Sequence, residues 1–256
     1  MKLTVTYLLI ITLLIPLGIK ADVLSDSVNC HHSIALAWVN KAGSDTADAA
    51  TGVCSDSDGN VYITGYFGHS INFESIELIS QGQRDVFIAK YNIDGEFQWA
   101  ISAGGSGDDY GNAIACDDEG NTYITGMFTD FALFGNIELY AYGQQDAFIA
   151  SFDNQGNLRW AEAAGGWEND RGIDIVVDNQ NNVFVTGIFD DALGIGSTTL
   201  LSNGNNDVFI GCFSSMGVFK WGKNIGSIGS DEATAIAVDA SGRAFVSGVF
   251  TGNLIS

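Results

Sequence analysis

The length, composition and charge of the chain already exclude several classes of function. Its 256 residues are 46% hydrophobic and 16% charged, which is typical of a globular protein with a core. The 31 acidic residues outnumber the 10 basic residues, and the resulting net charge of -21 repels phosphate backbones and anionic membranes. We therefore expect this acidic protein to have no nucleic-acid partner.

The N-terminal residues have the features of an export signal. An apolar run over residues 8–19 is followed by the small residue Ala21, which offers a cleavage point before Asp22. A membrane anchor needs about 20 apolar residues, and this run is shorter. We predict a signal peptide over residues 1–21, a leader segment over residues 22–34 and no stable membrane span after cleavage. The expected location is secreted, extracellular or in the cell envelope, including the cell surface.

A repeat of 61 residues organises the rest of the chain. Its clearest markers are four tryptophans at equal intervals, since 99 minus 38, 160 minus 99 and 221 minus 160 all give 61. The same register aligns phenylalanines and aspartates. The structural repeat residues are Trp38, Trp99, Trp160 and Trp221 with Phe67, Phe128, Phe189 and Phe250. A fixed period of this length indicates a repeat architecture.

Each period contains four segments that resemble strands. In the second copy they cover residues 113–116, 121–126, 146–150 and 157–161, and most are rich in β-branched and aromatic residues. A connection of roughly 17 residues separates the second segment from the third. Because no helical periodicity intervenes, we predict an all-β fold of β-propeller blades, each with four antiparallel strands.

The repeat register also sets the domain bounds. We predict a lone strand over residues 35–43, full blades over about 44–104, 105–165 and 166–226, and a partial blade over 227–256. Closed propellers typically have about 4 to 8 blades. The array is therefore predicted to be incomplete or open, and we interpret the chain as a fragment of a longer product.

Several short segments of the repeat are characteristic of a known family. They read DAFIA at 146–150, GNLRW at 156–160, GG at 165–166, NVFVTG at 182–187 and GGSGDDY at 104–110. They resemble the SBBP family of β-propeller repeats, and the resemblance extends from about Ala35 to Ser256. It implies a propeller fold in an exported bacterial protein with an extracellular or envelope location. It implies no fixed activity.

A recurring acidic position before each first strand is the main candidate for ligand binding. Carboxylates collected from several blades at one end of a propeller could coordinate a hard cation such as calcium. The alternative, which we favour, is that each aspartate caps a turn by accepting hydrogen bonds from nearby backbone amides. The candidate ligand-binding residues are Asp48, Asp109, Asp170 and Asp231.

A second acidic motif, at residues 56–60, is similar to part of a calcium loop. Its later copies, at 178–182 and 239–243, lose acidic charge but keep the turn. We therefore predict hairpin turns at these places. No cofactor is assigned, although calcium remains the alternative for the acidic positions.

The sequence selects no catalytic or metal site. Cys30, His31 and His32 lie together before the repeats and would need a further ligand from elsewhere to hold a transition metal, so we interpret them as a solvated leader. No nucleophile elbow, zinc-protease helix or phosphate loop is present. Nothing selects two of the many acids as a pair for glycoside hydrolysis.

The three cysteines within the repeats differ in their expected surroundings. Cys54 and Cys116 occupy positions that other copies fill with small hydrophobic residues, so we expect them to be buried. Cys212 stands where other copies have Lys90 and Ser151, and we expect it to be exposed.

Divergent connections on a repeated scaffold indicate where specificity lies. The connections that begin at 68–73, 129–134 and 190–195 differ between copies and share one end of the blades with the candidate aspartates. The leading hypothesis is a non-enzymatic extracellular interaction scaffold that binds protein or polysaccharide there. The alternatives are a propeller-type glycan hydrolase or lyase, and a structural spacer of a larger surface protein.

Overall fold

The computed structural model describes residues 8–14, 35–44 and 48–253, and these residues form an all-β structure. The prediction of four-stranded antiparallel blades is confirmed, and the sheets form an open array. The predicted leader over residues 22–34, with Cys30, His31 and His32, lies outside the described residues.

Three full blades and one half-blade follow one another along the chain, each with its strands in sequence order. The first blade contains β3 (Ala49–Ser55), β4 (Val61–Phe73), β5 (Ile76–Tyr91) and β6 (Phe97–Ala103). The second contains β7 (Tyr110–Cys116), β8 (Thr122–Phe128), β11 (Asp146–Phe152) and β12 (Leu158–Gly165). The third contains β13 (Arg171–Val177), β14 (Asn182–Phe189), β17 (Asp207–Ser214) and β18 (Phe219–Ile225). The half-blade contains β19 (Glu232–Val238) and β20 (Ala244–Val249).

The strand predicted to stand alone before the first blade is paired. It is β2 (Ala35–Ala42), and its antiparallel partner is β1 (Leu8–Leu14), which lies within the predicted signal peptide. The β1 and β2 pairing has the same register as that of β5 and β6, and in both the register shifts directly after the residue that pairs with the repeated tryptophan, Trp38 or Trp99. The segment Leu8–Leu14 therefore takes the place of a third strand. None of the described residues forms a helix long and apolar enough to cross a membrane.

Neighbouring blades pack through their first strands and their apolar faces. The side chain of Asn112 on β7 donates a hydrogen bond of 2.7 Å to the carbonyl oxygen of Gly172 on β13. Every residue of β11 is buried, as expected for a strand covered on both sides. Phe67, Phe128 and Phe189 are fully buried within the core.

The long connection of each blade is a β-hairpin, which differs from the predicted loop. In the second blade the hairpin is β9 (Phe131–Phe134) with β10 (Ile137–Tyr140), and in the third it is β15 (Ala192–Ile195) with β16 (Thr198–Leu201). The first blade forms it from the ends of β4 and β5. The hairpin forms because it buries alternate apolar residues, such as Phe134.

Each hairpin also pairs with the outer strand of the preceding blade. The amide of Leu133 donates to the carbonyl oxygen of Gly104 at 2.8 Å, and the amide of Gly104 donates to the carbonyl oxygen of Leu133 at 3.2 Å. The same contact recurs between Gly165 and Gly194 in the next pair of blades. The divergent connections therefore begin as packed strands and not as free binding loops.

Three of the repeated tryptophans, Trp38, Trp99 and Trp160, donate the indole N–H to a turn 55 residues further along the chain, whereas Trp221 makes no such bond within the described residues. The indole N–H of Trp99 donates to the carbonyl oxygen of Asn154 in the next blade at 3.1 Å, and that of Trp160 donates to Ser215 at 3.0 Å. Gly217 is required in this contact, because its φ of 77° favours glycine and an added Cβ would lie 2.7 Å from the Trp160 ring.

The cysteines are only partly placed as expected. Cys54 and Cys116 are half-buried in the same core cluster, and burial raises the pKa of the Cys54 thiol well above its usual range. Cys212 is buried, so the expectation of exposure was wrong. The reason is that its side chain packs with Phe184 and Ile236, in the core between the third blade and the half-blade.

Candidate functional site

The recurring aspartates before the first strands are buried links within the backbone. Asp109 accepts a hydrogen bond from the amide of Gly105 at 2.7 Å and another from the amide of Thr129 at 3.2 Å. It thereby ties the segment before β7 to the segment after β8. The other copies repeat the arrangement: Asp48 with Ser44 and Gly68, Asp170 with Gly166 and Asp190, and Asp231 with Ser227 and Thr251.

A second set of aspartates, which the sequence did not predict as a site, recurs in the third strands: Asp146 and Asp207 begin β11 and β17, and Asp85 lies within β5. Asp85, Asp146 and Asp207 are buried and accept hydrogen bonds from the turn that precedes them. A Cβ on Gly165 would lie 2.1 Å from the Cγ atom of Asp146, so only glycine fits beside this carboxyl group. These residues hold the loops between blades and are not open to a ligand.

Burial changes the protonation of the aspartates in the blade boundaries. It raises the pKa of Asp109 and of Asp170 to about 7, and neighbouring carboxylates at Asp85 and Asp146 contribute in the same direction. At Asp231 the pKa is lowered, because hydrogen bonds from Thr251 and Ser227 outweigh the effect of burial. Since Asp109 and Asp170 are fully buried, the raised pKa values follow from enclosure and do not mark an acid that reaches a substrate.

These pKa values predict that the protein loses stability as the pH rises from about 5 to about 8. A carboxyl group whose folded pKa lies above its unfolded value of about 3.9 stabilises the fold at low pH, and that contribution disappears as the pH passes the folded value. Groups with a lowered pKa, such as Asp231, are ionised in both states across this window. We expect a higher urea midpoint at about pH 5 than at about pH 8.

The double variant Asp109→Asn with Asp170→Asn separates these groups from the general effect of the net charge of -21. Its midpoint should change less with pH than that of the unaltered protein, because two of the titrating groups are gone. An equal slope in both proteins would show that the two aspartates do not cause the effect.

A polar cavity of about 280 Å³ opens between the second and third blades. It lies at the end of the blades where second strands finish and third strands begin, which we call the top face. Six residues line it: Gln145, Asn169, Arg171, Ile188, Asp190 and Asn206. The guanidinium group of Arg171 has no ion-pair partner among the described residues. Apart from Asp190, whose carboxylate accepts a hydrogen bond from the amide of Asp191, the polar side chains of the cavity make no hydrogen bond within the described residues.

The equivalent place between the first and second blades is filled by its own side chains. Arg84 forms an ion pair with Asp108 at 3.1 Å and donates a hydrogen bond of 2.6 Å to the hydroxyl group of Tyr110. In the 61-residue register these three positions correspond to Gln145, Asn169 and Arg171 of the cavity. At the next boundary, the place of this network is taken by amide and guanidinium groups that make no side-chain hydrogen bond within the described residues.

The cavity residues adjoin the predicted ligand-binding position without including it. Asn169 and Arg171 flank Asp170, whose carboxylate is turned into the protein. A sequence signal for Asn169 and Arg171 does exist: the residues on either side of the constant aspartate differ between copies of the repeat. Within the described part of the chain, no group of three or more His, Cys, Asp or Glu side chains is arranged to hold a metal ion.

The chain is similar to one family of β-propeller repeats and to two curated proteins. The SBBP family, a beta-propeller repeat, matches residues 98–127. The chain is 23% identical over 242 residues to an uncharacterized WD repeat-containing protein of Acanthamoeba polyphaga mimivirus. This match covers 77% of the chain and 17% of that relative. It is 30% identical over 103 residues to the regulatory protein FlaEY of Caulobacter vibrioides, covering 39% of the chain and 11% of that relative.

The chain thus spans less than a fifth of the length of these curated relatives. The chain also matches the solved structure of a protein of unknown function from Bacteroides caccae, with a TM-score of 0.41 and 10% sequence identity. The match covers 84% of this chain and 57% of the chain in that structure.

Proposed function

We propose that this protein, a β-propeller repeat protein of the SBBP type, acts as an extracellular scaffold that binds a protein or a polysaccharide through its top face. The observation that carries the proposal is the polar cavity beside Arg171, where the fold leaves hydrogen-bonding groups free on a rigid surface. Binding sites are commonly concave and contain a few well-placed polar groups. The N-terminal apolar run has the sequence features of an export signal and supports export of such a scaffold, although part of it, Leu8–Leu14, pairs with β2 in the structure.

The rigidity of the surroundings supports a binding role. The cavity is formed at the ends of strands β13, β14 and β17, and these strands are held by the buried links at Asp170 and Asp207. A site built on strands loses little conformational entropy when a ligand binds. The proposed surface is therefore arranged before its ligand arrives.

The experiment is a screen of the full chain, collected from the periplasmic or extracellular fraction, against glycan and peptide libraries for both binding and turnover. The proposal expects a bound ligand without turnover, and the change Arg171→Ala should weaken its binding. Turnover that is abolished by one top-face acid, such as Asp190→Asn, would favour the hydrolase or lyase alternative. Absence of any ligand would leave the spacer role and overturn the proposal.

A further inference from the structure

Two exposed aromatic residues are near neighbours, along the chain, of residues that line the polar cavity. Trp167 is 77% exposed and Tyr142 is 74% exposed. Trp167 does not belong to the repeated tryptophans, and the same position holds Ser106 in the preceding copy. Single exposed apolar side chains are common on protein surfaces, and what distinguishes these two aromatic residues is their adjacency to a polar cavity, where they offer a ligand apolar contact.

The backbone holds the two rings next to the cavity. The segments that carry them run side by side, since Gln145 and Asn169 form a parallel bridge and Asp170 donates its amide to Gln145 at 2.9 Å. Gly143 lies close to the segment that carries Trp167, since a Cβ added at Gly143 would be 2.2 Å from the carbonyl oxygen of Glu168. Trp167 and Tyr142 therefore stand on bridged backbone segments, two and three residues from Asn169 and Gln145, which line the cavity.

The chemistry of the cavity matches hydroxyl groups better than charged groups. Its three amide side chains both donate and accept hydrogen bonds, Arg171 only donates, and Asp190 only accepts. The formal charges of Arg171 and Asp190 cancel, while the net charge of -21 on the chain disfavours an anionic ligand. Sugar hydroxyl groups donate and accept at once, so they can satisfy such a mixed set.

We propose that the cavity and the two rings form a binding site for a neutral polysaccharide. One sugar ring enters the cavity, whose volume of about 280 Å³ lies near the lower end of small-molecule sites, and its neighbours lie on Trp167 and Tyr142. The aromatic rings present apolar faces to the C–H groups of the sugars. This inference rests on the proposed function and identifies the class of its ligand.

The test measures binding of cellohexaose, mannohexaose and laminarihexaose to the full chain by titration calorimetry, with a galacturonate hexamer as the anionic comparison. At least one neutral hexamer should bind, and Trp167→Ala and Arg171→Ala should each weaken it by at least about tenfold. Two matched changes should leave binding unaltered. They are Ile228→Ala, at the position of Trp167 one repeat later, and Arg243→Ala, in a hairpin turn at the opposite end of the blades.

Each other outcome has a distinct meaning. Preference for the galacturonate hexamer, or unchanged binding in both the Trp167 and Arg171 variants, would overturn the neutral-polysaccharide site. Binding of library peptides alone would overturn this inference and leave the scaffold proposal intact. Both side chains are exposed, so the two variants should melt at the same temperature as the unaltered protein. That result would show that weaker binding does not come from unfolding.

Discussion

Replacing Trp160 by alanine should lower the free energy of unfolding by about 3–5 kcal/mol. Its side chain is only 8% exposed, stacks on Phe213 with ring centroids 6.0 Å apart, and donates its indole N–H to Ser215 of the next blade. The change removes apolar contacts and leaves a cavity between two blades. Urea unfolding followed by far-UV circular dichroism measures the loss.

Trp221 is the matched control for this change. It holds the same place in the repeat, but it is 39% exposed and its indole makes no hydrogen bond within the described residues. Trp221→Ala should therefore cost roughly half as much as Trp160→Ala, or less. Equal losses at both positions would mean that the contact with the next blade does not account for the stabilisation.

Replacing Asp109 by alanine should cost roughly 2–6 kcal/mol, because it leaves two backbone amides without an acceptor at about 1–3 kcal/mol each. The amides belong to Gly105 and Thr129, which lie on either side of the first two strands of the blade. Loss of the link should loosen both segments, so hydrogen exchange at these two amides should accelerate. Urea unfolding measures the total loss in the free energy of unfolding.

Two further variants test this explanation. Asp58→Ala removes an exposed carboxylate whose side chain accepts no hydrogen bond within the described residues, and it should change stability by less than about 0.5 kcal/mol. Asp109→Asn keeps one acceptor oxygen and should have an intermediate effect. If Asp109→Ala were as mild as Asp58→Ala, the carboxylate would not be a structural link.

The blade architecture can be predicted from the sequence because its determinants are local and repeated. The spacing of Trp99 and Trp160 sets the period, and the strands of each blade follow one another along the chain. The predicted strands nevertheless stop early, since β12 extends to Gly165 where it pairs with the hairpin of the next blade. Contacts between blades lengthen strands beyond what local propensity indicates.

The hairpin in the long connection was not predicted, although the sequence of the second copy indicates it. Residues Phe131–Phe134 and Ile137–Tyr140 alternate in burial around the pair Gly135-Asn136, which is a typical two-residue turn. The first copy has Glu74 at the position of this glycine, with a φ of 45°, so the turn is not marked in every repeat. Comparison of copies therefore obscured what one copy showed.

The cavity could not be predicted in the same way. Whether the top of a blade boundary is filled or open depends on side-chain geometry, as in the ion pair between Arg84 and Asp108. The sequence shows that Gln145 and Asn169 replace this pair, but only the structure shows the space that results. Sites formed by the absence of an interaction leave little trace in a single sequence.

The hairpins, the indoles and the aspartate links all connect a blade to its immediate neighbour or to itself, as in the contact of Gly104 with Leu133. Such an array behaves as a one-dimensional lattice, in which stability is a sum over units and junctions. Duplication or loss of one whole unit recreates the same junctions, whereas loss of part of a unit leaves an indole or a carboxylate without its counterpart. Genes of this kind can therefore gain or lose copies without inventing a new interface.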